Sequence, residues 1–337
     1  RIDGHAALVN QKAIDISGLT NETKVSGGEI KLKNGALTGV LLEDPAMSLV
    51  RKDIPKASDS ELERLILEAQ KRCLAEGITS LADAGLEKEE VEFFDKMHQE
   101  DKLKIGIYAM LNPTEENFDA YLNKGKYKTE RLDVRSFKVY ADGALGSRGA
   151  YLLEPYSDMP STKGILINTP ENLKALIQKI AEKDFQINTH CIGDGSSRLV
   201  LDIYAEELKG ANDKRWRIEH AQIVHKDDIS KFGEYDIIPS AQPTHCTSDM
   251  AWADERLGER VKTAYAFKDL YLQNNMIALG TDFPVEFTNQ IYTFYSATLR
   301  QDSQGNPESG FQMENVLSPE TTLRGMTVWA AYANFQE

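Results

Sequence analysis

The stretch "SFKVYADGALGS", residues 136–147, decides how this chain is read. Ser136-Phe137-Lys138-Val139-Tyr140-Ala141 alternates like a β-strand. A strand covered on both faces has little room for an ammonium group, yet Lys138 stands in its middle. Asp142 follows, then Gly143, Ala144 and Gly146, small residues that suit a sharp turn. The pattern predicts a buried strand whose carboxyl end carries chemistry.

Working outward, the same kind of strand recurs. Residues 78–85 ("ITSLADAG"), 103–111, 185–194 ("FQINTHCIGD"), 215–224 ("RWRIEHAQIV"), 237–245 ("IIPSAQPTH") and 276–285 ("MIALGTDFPV") are apolar strands. Helical patterns separate them. In "SDSELERLILEAQKRCLAEG", Ser58 or Ser60 caps, Leu62, Leu65, Ile66 and Ala69 recur on one face, and Gly77 stops the helix. Thr169 and Pro170 open another helix as cap and first residue. Alternating β and α units predict a parallel sheet. Seven units in about 280 residues suit a TIM (β/α)8 barrel better than a doubly wound sheet. No GxGxxG opens the first turn. Residues 58–337 are assigned to this barrel. Residues 1–57 read as a loop-rich segment packed near the barrel mouth, with "KNG" as a hairpin turn.

The totals narrow the function. The 337 residues carry a net charge of -14, from 53 acids against 39 Lys plus Arg. Nucleic acid and anionic membranes attract basic surfaces, so neither is an expected partner. No apolar run approaches the roughly 18 residues of a membrane span. Cys73, Cys191 and Cys246 are too few and too scattered for a disulfide framework, and fit a reducing, cytoplasmic compartment.

In a parallel barrel, catalytic groups sit at the carboxyl ends of the strands. Those ends carry Lys138 and Asp142, His190 and Asp194, Glu219 and His220, Gln242 and His245, and Asp282. Two imidazoles on neighbouring strands and a carboxylate on a third match the donor set of a divalent metal, zinc above all. A catalytic metal lowers the pKa of a water toward about 7. Asp282 can take up the water's proton and return it. Other chemistries are weaker. No GxSxG elbow occurs. Cys191 points away from His190 if the strand alternates. "IGDGSS" could cradle a phosphate at a helix start, or simply be a tight turn.

Five motifs, "FKVYADGALGSRGAYLLEPYSD", "NTHCIGDGSSRLVLD", "RWRIEHAQ", "QPTHCTSDMAWADERLG" and "ALGTDFPVE", occur in the order found in one branch of the amidohydrolase superfamily. The chain resembles that branch, amidohydrolase family 3, which includes N-substituted formamide deformylase and metal-dependent hydrolases. The likeness runs from "RIDGHAALVN" to "TVWAAYANFQE". It implies a (β/α)8 barrel with one or two divalent metals, usually zinc. It also implies a carboxylated lysine at Lys138 bridging them, metal ligands at His190 and His220, and a ligand and general base at Asp282. A carbamate forms on a neutral amine, which burial favours.

The family carries an HxH pair on its first barrel strand and a flanking β-sandwich domain. Neither is in this sequence. The expectation is therefore an incomplete barrel holding strands two to eight, poor in metal and inactive alone, with two unpaired edges that invite a second chain and a homo-oligomer.

His245 is expected as a substrate or transition-state donor at a strand end. His5, in "DGHA", is expected in a lid, and the 143–168 loop with Arg148 and Tyr156 over the mouth. Glu219 is expected to face away from His220 and serve structure. Asp142 is the alternative partner for Lys138. His98 and His225 read as surface residues, and Trp216, Trp252 and Trp329 as packing. The expected reaction is hydrolysis of a non-peptide C–N bond in a small molecule: an amide, formamide or cyclic amide. An ester or phosphoester hydrolase with the same metal site, and a non-catalytic binding or scaffold protein, are the alternatives.

Overall fold

The computed structural model describes residues 1–2 and 4–337; Asp3 of "DGHA" lies outside the described residues. Strands β1 (Ala6–Leu8), β2 (Glu29–Lys33) and β3 (Ala36–Leu42) form a small antiparallel sheet in the order β1-β3-β2. The expected "KNG" turn joins β2 to β3, with Asn34 and Gly35 both at positive φ, 54° and 79°. Helices Gln11–Ser17 and Asp44–Arg51 pack on this sheet. Ile14, Leu41, Ala46 and Met47 form its core. Segment 1–57, expected to be loop-rich, is thus a small α/β layer of its own.

The main sheet contains β4 (Ser80–Leu86), β5 (Gly106–Leu111), β6 (Tyr127–Lys128), β7 (Leu132–Tyr140), β8 (Gln186–Cys191), β9 (Arg217–His220), β10 (Ile238–Ala241) and β11 (Ala278–Leu279). Seven of these strands are parallel, in the order β4-β5-β7-β8-β9-β10-β11, and β6 adds an antiparallel pair at β7. All seven expected strands are present. Helices cover the outer face in a mixed α/β architecture. Asp59–Ala75, capped by Ser58, and Pro170–Ala181, capped by Thr169, follow the sequence reading. Among the described residues β4 and β11 are the two edges and do not pair.

The register divides each strand into an outer and an inner row. Phe137, Val139, Ile187 and Ile218 face the helices and are fully buried. The inner row is polar. Lys138 pairs across the sheet with Asn188, and Asn188 with Arg217. One step higher, Tyr140 pairs with His190, and His190 with Glu219. Residues paired across parallel strands share a face, so these two levels stack toward the mouth.

Below them the floor is closed by hydrogen bonds. Tyr108 Oη donates to Gln186 Oε1 at 2.8 Å. Arg217 donates to Asn334 Oδ1 at 2.6 Å, to Gln186 Oε1 at 3.2 Å and to the Ala333 carbonyl. The end of helix Val328–Ala333 therefore plugs the interior through a buried guanidinium. Removing one partner from such a buried charged network typically costs about 3–5 kcal/mol. Arg217→Ala is expected to lower stability by that amount, read as a lower denaturant midpoint. An unchanged midpoint would contradict this account of the floor.

Candidate metal centre

The site begins with Lys138. Its side chain is only 5% exposed. Among the described residues its ammonium makes no hydrogen bond or ion pair. The Tyr140 ring lies against it, 5.0 Å from Nζ to the centroid. Asp142, the alternative partner read from the sequence, is engaged elsewhere. This fully buried carboxylate accepts from the backbone N–H of Tyr151 (2.8 Å), Ile192 (3.0 Å) and Gly193 (2.8 Å) and from Ser196 Oγ (2.7 Å). Burial pushes its carboxyl up to about 7 against the pull of these donors. Asp142 ties β8 and helix Asp194–Leu208 to the long loop after β7.

His190 and His220 meet at the mouth with ring centroids 4.6 Å apart. Strand alternation alone would place His220 on the outer face, because it pairs with Cys191. Its backbone departs from the strand: φ is 73° at His220 and 41° at Ala221. Left-handed backbone at non-glycine residues is uncommon, and such residues cluster at active sites. The turn swings the imidazole inward. Glu219, expected to face away from His220, is on the inner row by its register with His190, so both residues face the interior, and it lies 3.6 Å from Arg217. Its charge pushes the Asp282 carboxyl upward.

Gln242 fixes His220. His220 Nδ1 lies 2.7 Å from Gln242 Oε1. An amide oxygen only accepts, so the proton sits on Nδ1 and the Nε2 lone pair remains the ring's ligand atom. Burial is the main cause that holds both His190 and His220 well below the usual histidine range, so both are neutral, the form that binds metals. His190 Nε2 is buried without a hydrogen-bond partner and lies 3.6 Å from Asp142 Oδ1.

His245 was expected at a strand end. It lies instead in the first turn of helix Pro243–Asp249, just past β10. There its ring stacks on that of His220 at 5.8 Å, and Nε2 is 3.8 Å from Asp282 Oδ2. Asp282 also has left-handed backbone, with φ 58°. Ligand atoms of His220, His245 and Asp282 all lie within 4.8 Å of one another. Two imidazoles and a carboxylate at that spacing fit a divalent cation. Packing of protein around Asp282 pushes its carboxyl up to about 6, partly opposed by the Lys138 charge. The structure thus joins His245 to the expected pair of His220 and Asp282, with His190 in edge contact with the His220 ring.

Other expectations fare differently. The "IGDGSS" turn holds no anion cradle, because the Tyr151 carbonyl fills it, accepting from Gly195 N (3.0 Å) and Ser196 N (3.2 Å). A Cβ on Gly193 would stand 2.0 Å from that carbonyl oxygen. Cys191 is fully buried and its thiol is raised well above the usual range by burial. Arg148 and Tyr156 secure the long loop internally, Arg148 on Asp158 and Tyr156 on the Ala150 carbonyl. His98 and His225 are half-buried, bonded to Ile105 O and Arg198.

The sequence reading missed Glu43. It is fully buried, and its Oε2 lies 2.6 Å from His5 Nδ1. Gly143 and Gly149 make room for it: a Cβ on either would lie 2.2 Å from Glu43 Oε1. Its backbone, φ 64° and ψ 159°, is a conformation that costs about 1–3 kcal/mol outside glycine. The signal available was the glycine spacing after Asp142, which marks close approach as well as a turn. His5 reaches the site itself, with its ring centroid 5.1 Å from that of His190.

A family model described as "Amidohydrolase family" matches residues 1–337. The chain belongs to the Amidohydrolase family. It is 30% identical over 319 residues to "Protein LONG AFTER FAR-RED 3" of Arabidopsis thaliana, covering 89% of this chain and 54% of that protein. It is 32% identical over 311 residues to "Putative amidohydrolase YtcJ" of Bacillus subtilis, covering 90% and 58%. The chain therefore spans about half the length of these curated relatives. A solved metal-dependent hydrolase from Pyrococcus horikoshii superposes with a TM-score of 0.80 at 27% identity, covering 98% of this chain and 66% of that one. Membership in the Amidohydrolase family agrees with a donor set that fits a divalent metal.

Residues that orient a metal-binding histidine typically carry 10–100-fold in affinity or activity. Gln242→Leu in the full-length protein is expected to weaken cobalt or zinc binding about 10–100-fold. Calorimetric titration checks this; an unchanged dissociation constant would contradict the role given to Gln242.

Proposed function

We propose that the protein is a metal-dependent hydrolase of a non-peptide C–N bond in a small amide, formamide or cyclic amide. The observation that carries the reading is the convergence of His220, His245 and Asp282 with a buried lysine whose charge acts on Asp282. Family membership and the likeness to solved metal-dependent hydrolases support it. In this proposal His220 and Asp282 would hold the ion, zinc by preference, and His190 and Lys138, if carboxylated, would be further ligands. The ion would supply Lewis acidity and a water of lowered pKa.

The chain's own residues do the rest. Gln242 keeps His220 in the tautomer that offers Nε2. Asp142 locks the loop after β7 against β8 and keeps the mouth in shape. Asp282, 38% exposed toward the mouth, accepts a proton at its carboxylate and returns it to the leaving nitrogen. His245, 3.8 Å from Asp282, is placed to donate to the substrate's developing oxyanion. The interior is polar at every level from Arg217 to His190, which suits a small polar substrate.

We also propose that a further strand, with the HxH pair of the family, closes the sheet between the β4 and β11 edges. The two unpaired edges and the half-length match to the relatives support this.

The reading is tested with the full-length protein on a panel of amides, formamides, cyclic amides, esters and phosphoesters, before and after chelation. Chelator-sensitive turnover of the C–N substrates is expected. Asp282→Asn is expected to lower kcat by about 10²–10⁴-fold while circular dichroism stays unchanged. Full activity in that variant, or turnover confined to esters or phosphoesters, would refute the assignment.

A further inference from the structure

His220, His245 and Asp282 follow β9, β10 and β11 at one end of the strand order. At the other end, where β4, β5 and β7 reach the mouth, stands a second group of side chains that the proposed reaction does not use. β4 bulges there: its register with β5 shifts between Ala84 and Leu86. Gly85 sits in the bulge with φ 96°, backbone that only glycine adopts freely. A glycine inside a strand marks a bend or a close approach. Here it also opens a notch. A Cβ on Gly85 would stand 3.1 Å from Asn112 Oδ1 and 3.3 Å from Tyr140 Oη, so both atoms border one small space that the glycine leaves open.

The two atoms are of opposite kind. Asn112 Nδ2 donates to the Gly85 carbonyl at 2.8 Å and to Glu87 Oε1 at 2.9 Å. Both partners only accept, so the amide's orientation is fixed and Oδ1 is the atom turned to the notch. Glu87 is itself held, accepting from Thr114 Oγ1 at 3.2 Å and from Asn117 Nδ2 at 3.4 Å. Tyr140 stands on the inner row above Lys138, its ring 5.6 Å from that of His190. Among the described residues Asn112 Oδ1 receives no hydrogen bond and Tyr140 Oη makes none. Both side chains are half-buried. A fixed acceptor and an uncommitted donor therefore stand together beside a histidine of the site.

We propose that Tyr140 and Asn112 are substrate-contacting residues that read the edge of a cis amide, as in a cyclic or a primary amide. Tyr140 Oη donates to a carbonyl oxygen, and Asn112 Oδ1 accepts from the neighbouring N–H. A trans peptide points these two groups in opposite directions. An ester lacks the N–H and leaves the Asn112 acceptor unpaired, the kind of mismatch that such a site rejects. The subsite thus favours the C–N class over its ester rival. That the bound amide is then hydrolysed rests on the metal-dependent hydrolase reading above; the binding itself does not.

The test uses the full-length protein and two probes: γ-butyrolactam, which presents a C=O and a cis N–H, and its N-methyl derivative, which has no N–H. Dissociation constants are read by ligand-detected NMR titration in the wild type, Tyr140→Phe and Asn112→Ala. N-methylation is expected to weaken binding to the wild type about 3–10-fold. Tyr140→Phe is expected to weaken both probes by a similar factor and to keep the preference for the N–H. It removes no hydrogen bond within the protein, so its melting midpoint should match the wild type. Asn112→Ala should weaken the lactam and abolish the preference. Its lost bonds to Gly85 and Glu87 lower its midpoint, so its readout is the ratio of the two affinities, which a smaller folded fraction does not move.

Unchanged lactam affinity in Tyr140→Phe overturns the proposal, as does equal binding of the two probes, or binding of neither, in the wild type. A preference that survives Asn112→Ala overturns the role of Asn112. A lowered midpoint in Tyr140→Phe would assign the hydroxyl to structure and overturn its role as well. If the lactam pattern holds but no C–N substrate turns over, the hydrolase reading fails and this inference stands. If C–N substrates turn over but the pattern is absent, this inference fails and that reading stands.

Discussion

A buried lysine that makes no ion pair among the described residues is the constraint on which the rest of this site depends. Lys138 sits in the interior row of β7, 5% exposed, with its Nζ 5.0 Å from the Tyr140 ring centroid. Burying a charge is costly unless it is paired and hydrogen-bonded. Proteins remove that cost by pairing the charge, by neutralising it or by changing the group chemically. Asp142 does not pair with it, because four donors already hold that carboxylate. The neighbourhood is instead populated by neutral imidazoles and by Asp282. A lysine converted to a carbamate would become an anionic oxygen donor in the midst of these groups, which turns an unfavourable burial into a ligand.

The structure spends other polar groups on keeping that neighbourhood rigid. Asp142 joins β8, a helix and the long loop at one buried point. Arg217 closes the floor onto the C-terminal helix. Gln242 sets one histidine tautomer, and Glu43 holds another ring through a slot between two glycines. Metal sites and substrate contacts need side chains held to a fraction of an ångström, and each device removes one degree of freedom.

Much of the sheet was legible in the sequence. Seven apolar runs of strand length, each followed by a helical pattern, left few architectures open. Lys138, His190, His220 and Asp282 stood out because polar residues at the carboxyl ends of buried strands are few. What was not legible depends on backbone geometry or on contacts far apart in sequence. Glu219 faces inward by its register with His190, and His220 joins it only because φ turns positive at the end of β9. His245 joins Asp282 because a helix begins two residues earlier than the strand pattern suggested. Glu43 lies a hundred residues from Gly143, and no local pattern ties them together. The order within segment 1–57 was hidden by its glycines and turns, although its one hairpin signal was sound.

The central claim is that His220 and Asp282 share a divalent metal. Anomalous diffraction from crystals of the full-length protein grown with zinc tests it most directly. The account predicts an anomalous peak within coordination distance of both His220 Nε2 and the Asp282 carboxylate. A well-ordered mouth with no peak there, or zinc bound only at sites elsewhere, would contradict it.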